Sequence, residues 1–80
     1  MVILDLNGRR ISVDKGALVA ARDEAALRAA SSSQLRDLSL VLDAVIGGRR
    51  VALHRNEIRL LRKLAADAGI DELIEAMQET

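Results

Sequence analysis

The dipeptide Asn7-Gly8 lies between two short β-prone runs, Val2-Ile3-Leu4-Asp5-Leu6 and Arg9-Arg10-Ile11-Ser12-Val13. Asn and Gly both tolerate the positive φ that a two-residue type I′ turn needs at its central positions, so this segment predicts a tight β-hairpin. The turn also fixes a register. Leu6 falls opposite Arg9, Asp5 opposite Arg10, Leu4 opposite Ile11, Ile3 opposite Ser12 and Val2 opposite Val13. In that register Val2, Leu4, Leu6, Ile11 and Val13 share one face, and the other carries Asp5 across from Arg10 as a cross-strand charge pair. A two-stranded ribbon is marginal in water, so the apolar face is expected to cover a core supplied by the rest of the chain.

That rest reads as mainly helical. Residues 14–31 carry two signals in conflict, because Asp14 suits a helix N-cap but Leu18 and Leu27 fall on opposite sides of one continuous helix. A break near Arg22-Asp23 is expected, with Asp23 capping a second short helix through Ala30. Ser31 and Gln34 have capping-box spacing ahead of a strongly periodic segment. In it Leu35, Leu38, Val41, Leu42, Val45 and Ile46 occupy one arc at about 100° per residue, while Leu40 projects from the polar side. Gly47-Gly48 stops this helix. The alternation from Arg49 to His54 then predicts a short strand near residues 50–54, with Val51 and Leu53 on its inner side. Asn56 is expected to cap a helix running to Ala68, Gly69-Ile70 to form a Schellman ending, and Asp71 to cap a last helix bearing Leu73, Ile74 and Met77. The fold class expected is α+β: an N-terminal hairpin plus a short third strand, packed against three or four helices, with residues 1–80 as one compact domain.

Composition narrows the function. Half the residues are apolar yet none is aromatic, so the core must be built from Leu, Ile, Val and Ala, and a second protomer is one way to add buried area. The absence of cysteine excludes disulfides, thiol catalysis and Cys-based metal sites. No run is long and apolar enough to cross a bilayer, and the start of the chain lacks a secretory pattern, so a cytoplasmic location without membrane contact is expected.

Charge is balanced at 12 basic and 12 acidic side chains but is segregated toward the end of the chain. Arg49, Arg50, Arg55, Arg59, Arg62 and Lys63 form a basic stretch broken only by Glu57, and Asp67, Asp71, Glu72, Glu75 and Glu79 follow as an acidic one. The basic group is a candidate surface for a partner or an anion. The plainer account is a solvated helix face partly neutralised by the acids after it. Nucleic-acid binding through residues 49–63 is the alternative function. It is disfavoured by zero net charge, by the lack of rings to stack on bases, and by a connection too long for a helix-turn-helix.

No catalytic, cofactor or metal constellation emerges. His54 is a lone histidine among arginines, without a second ligand or a motif-placed nucleophile. The serines at 31–33 suit capping, the acids of the last helix lack calcium-loop spacing, and Gly47-Gly48 is no phosphate loop. The hairpin occurs in many unrelated folds and assigns no family. The expectation is therefore a noncatalytic interaction or regulatory module without cofactor or small-molecule substrate. It would act as a homodimer or bind another protein, with Ile3 and Leu40 as self-association residues.

Overall fold

The computed structural model describes residues 1–78. The hairpin forms as expected, with β1 (Val2–Leu6) and β2 (Arg9–Val13) paired antiparallel from Val2 opposite Val13 to Leu6 opposite Arg9. Asn7 and Gly8 adopt φ of 55° and 101°, the positive pair that this turn requires. The Asp5–Arg10 charge pair does not form, although the two residues are in register. The Asp5 carboxylate turns instead onto the hairpin tip and accepts the backbone N–H of Gly8 at 2.7 Å. A short charge-assisted bond to a fixed backbone donor outcompetes an exposed ion pair that must order a long arginine.

The expected break near Arg22-Asp23 is absent. A single helix α1 runs Lys15–Leu27, capped by Asp14, whose carboxylate accepts the Ala17 N–H at 3.3 Å. The opposition of Leu18 and Leu27 is resolved without breaking the helix: Leu18 is buried, Leu27 stays 77% exposed, and Ala17, Ala21 and Ala25 complete the inner face. Asp23 caps nothing and instead pairs with Arg22. A single 3-10 turn at Ala29–Ser31 follows, and the cap of the next helix lies one residue later than the spacing suggests. Ser32 accepts the Leu35 N–H at 3.3 Å, while the Ser31 hydroxyl donates back to the Arg28 carbonyl. Helix α2 (Ser33–Ile46) buries Leu38, Leu42 and Val45. It ends in a Schellman turn in which Arg49 N–H reaches Ala44 O, with Gly48 in the left-handed region.

Strand β3 is only Ala52–Leu53 and joins β1 in parallel, giving the sheet order β2-β1-β3. Leu53 enters the core and Ala52 faces out, as the alternation requires. Helix α3 (Arg55–Ala68) starts one residue before Asn56, with His54 at the N-cap position. The Glu57 carboxylate accepts the His54 backbone N–H at 2.9 Å. Gly69 ends the helix at φ 68°, and Ile70 N–H bonds back to Ala65 O, the expected Schellman geometry. Helix α4 (Asp71–Gln78) includes Asp71 as its first residue rather than as its cap, and the Ile70 carbonyl accepts from Leu73 and Ile74.

The result is an α+β fold in which Leu4, Leu6 and Val13 of the hairpin, together with Leu53, close over a core that includes Leu18, Leu38, Leu42, Leu61, Leu64, Leu73 and Met77. No charged or polar side chain is buried among the described residues. No helix among them is long and apolar enough to cross a membrane.

Enlarging the alanine stripe tests this packing. Ala21→Leu should destabilise the fold by about 1 to 3 kcal/mol through overpacking, measured as a lower urea midpoint by far-ultraviolet circular dichroism. Gly69→Ala, which forces a Cβ into the left-handed region, should lower stability by about 1 kcal/mol even though the site is spatially open.

Candidate functional site

The six basic residues singled out by sequence are all exposed, and they divide between two places. Arg49 and Arg50 lie on the link from α2 to β3. Arg55, Arg59, Arg62 and Lys63 share one face of α3, opposite the side that buries Leu61, Leu64 and Ala65. Because Arg55 opens that helix, its side chain joins the basic arc.

Arg49 and Arg50 border a groove of about 360 Å³ beside the first half of β1. Its apolar lining comes from Val2 and Ile3 of the strand, Val45 and Ile46 at the end of α2, and Val51 ahead of β3. Arg10 of β2 is a third cation on the rim, and Asp5 is the one carboxylate there. The pleat explains how Ile3 comes to line it. Leu4 and Leu6 point into the core, so Ile3 and Asp5 must point to the outer face of the sheet, and Ile3 is left 57% exposed.

Arg55, Arg59 and Arg62 border a second groove with Leu6, Asn7 and Ile58 near the hairpin tip. Arg62 also holds the fold together. Its guanidinium donates to the Met77 carbonyl at 3.3 Å, and Arg9 donates to the same oxygen at 3.0 Å. Two cations thus meet the negative end of α4 and tie the hairpin and α3 to it. Lys63 borders neither groove.

Among the described residues the acidic stretch forms no ion pair with the basic one. Ion pairs among the described residues link Arg22 to Asp23 and Asp43, and Arg28 to Glu24 and Asp67. Hydrogen bonds accepted by Asp43, then by Asp23, raise the Arg22 pKa above its ordinary value, and the Asp43 contact ties α1 to α2. Arg10, Arg49, Arg50, Arg55, Arg59 and Lys63 have no ion pair among the described residues.

The other candidates stay apart from these grooves. His54 is exposed at the head of α3, and Ser31 and Ser32 are occupied in local turn and cap bonds. Among the described residues no group of three or more His, Cys, Asp or Glu side chains is placed to hold a metal ion. Leu40 is 62% exposed on α2 but is not part of the Ile3 groove, so the two proposed self-association residues do not line one depression. The basic group expected from the sequence leaves out Arg10, which the hairpin register sets opposite Asp5 and which sequence offers only with Arg9 as an alternative, strand-borne contact to nucleic acid. The same register contains the remaining clue, since it places Arg10 on the same face as Ile3. Comparison with family models, with characterised proteins and with solved structures gives no match.

The structural role of Arg62 can be separated from any binding role. Arg62→Met, which keeps the stem and removes the donor, should lower stability by about 1 kcal/mol and speed amide exchange in α4, measured by denaturation and hydrogen exchange.

Proposed function

We propose that the protein acts by binding rather than by catalysis, as an interaction or regulatory module that pairs with a second copy of itself or with another protein. The observation that carries this reading is the exposed aliphatic Ile3 set in a groove rimmed by Arg10, Arg49 and Arg50, none of which has an ion pair within the described fold. An apolar centre bordered by uncompensated charge is the arrangement of a protein contact surface. Leu40 is a second point at which a partner would remove aliphatic surface from water.

Light scattering coupled to size-exclusion chromatography tests the homodimeric form. Concentration must be read by refractive index, because the chain has no aromatic residue. A dimeric mass that falls toward monomer in Ile3→Asp or Leu40→Asp supports self-association through that residue. A dimer unchanged in both folded variants places the contact elsewhere. A monomeric wild type leaves the pairing with another protein, for which capture from cell extract should be lost in Ile3→Asp.

A nucleic-acid reading has its own support in the unpaired Arg55, Arg59 and Lys63 on α3. It requires binding to a mixed DNA and RNA pool that weakens steeply with salt and is lost in Arg59→Ala/Lys63→Ala. No retardation of the pool at low salt would end that reading.

A further inference from the structure

We propose that the groove beside the first half of β1 receives an extended, acidic segment of another protein, which adds as a short strand along Ile3. The proposal rests on the protein-binding reading and names the chemistry of the partner.

The backbone of β1 supplies the first reason. In a two-residue hairpin the residues flanking the turn exchange hydrogen bonds, and every second pair after them does the same. Leu6, Leu4 and Val2 therefore direct their backbone groups toward β2, while Asp5 and Ile3 direct theirs toward the opposite edge. Asp5 meets Ala52 of β3, and the ladder stops there. The N–H and C=O of Ile3 consequently lack a protein partner among the described residues, at the wall of an apolar groove. A donor and an acceptor from one residue, aimed along a strand edge, match an extended peptide backbone. A helix has its backbone groups already engaged, and a phosphodiester chain has no donor to offer the carbonyl.

Charge supplies the second reason and selects the occupant. Arg10, Arg49 and Arg50 border the groove against the single carboxylate of Asp5, which already holds the Gly8 N–H. A second copy docked here by a two-fold axis would bring the same three arginines of both protomers together, an arrangement that like-charge repulsion opposes. This chain's own acidic residues Asp71, Glu72 and Glu75 are held in helix α4 and offer no extended strand. An acidic segment alternating with aliphatic residues satisfies every feature at once: carboxylates to the arginines, aliphatic side chains to Val2, Ile46 and Val51, and backbone to Ile3.

The test is selection of a random linear peptide display library on the wild-type protein and, in parallel, on the folded charge-reversed variant Arg49→Glu/Arg50→Glu. The wild type should enrich peptides in which Asp or Glu alternates with Val, Ile or Leu. A synthetic copy of an enriched peptide should bind the variant about tenfold or more weakly. The same peptide N-methylated at alternate positions should lose binding, and the unmodified peptide should slow hydrogen exchange at the Ile3 amide. Enrichment that is not acidic, equal binding of the N-methylated peptide, or an Ile3 amide unaffected by saturating peptide would each overturn the proposal. A wild-type dimer dissociated by Ile3→Asp would replace the peptide with a second copy and leave the protein-binding reading standing. A monomer that enriches no peptide and captures no protein would remove both.

Discussion

The alternation along β1, which among the described residues is the strand paired on both sides, sets which side chains enter the core and which face outward. Its pleat sends Leu4 and Leu6 inward and Ile3 and Asp5 outward, and a slip of one residue would exchange the two sets. The slip is opposed at the tip, where Asn7 and Gly8 accept positive φ and the Asp5 carboxylate holds the Gly8 N–H. The same choice of face that builds the roof of the core leaves Ile3 outside, so core and groove are two sides of one decision.

Beneath that roof the fold meets the absence of aromatic side chains with a core of leucine, alanine, valine and one methionine. Helix α1 buries three alanines and one leucine, and its most extensive packing is with α2. Leucines from the sheet and the other helices then fill the remaining volume. Polar groups take part only at the margins, where Asp14, Ser32 and Glu57 cap helix starts and Arg9 and Arg62 close the end of α4.

Much of this is legible in the sequence because the signals are local. Asn7-Gly8 fixes the hairpin, the periodicity from Leu35 to Ile46 fixes α2, and Gly69-Ile70 marks the end of α3. Sequence and structure part where two weak local rules compete. Counting Leu27 as a core residue forces a break into α1, but an isolated exposed leucine costs less than unravelling a helix. Ser31, Ser32 and Ser33 are equivalent as capping residues, and only the 3-10 turn before the helix selects Ser32. The basic residues 49–63 are visible as a stretch, whereas their division between two grooves, and the part played by Arg10, follow from how the chain returns to β1. The alternation at residues 49–54 predicts the third strand, but not which edge of the hairpin it joins, because that pairing links segments separated by two helices.

The return has a bearing on how the protein folds. The hairpin, the turns and the helices close contacts between near neighbours, but the parallel seam of Asp5 with Ala52 closes a loop containing β2, α1 and α2. Bringing together chain ends about that far apart costs roughly 3 kcal/mol of length-dependent entropy, more than a two-residue ladder returns by itself. The ladder therefore does not hold the seam by itself, and the burial of Leu53 and Leu6 in the shared core supplies what the two-residue pairing lacks.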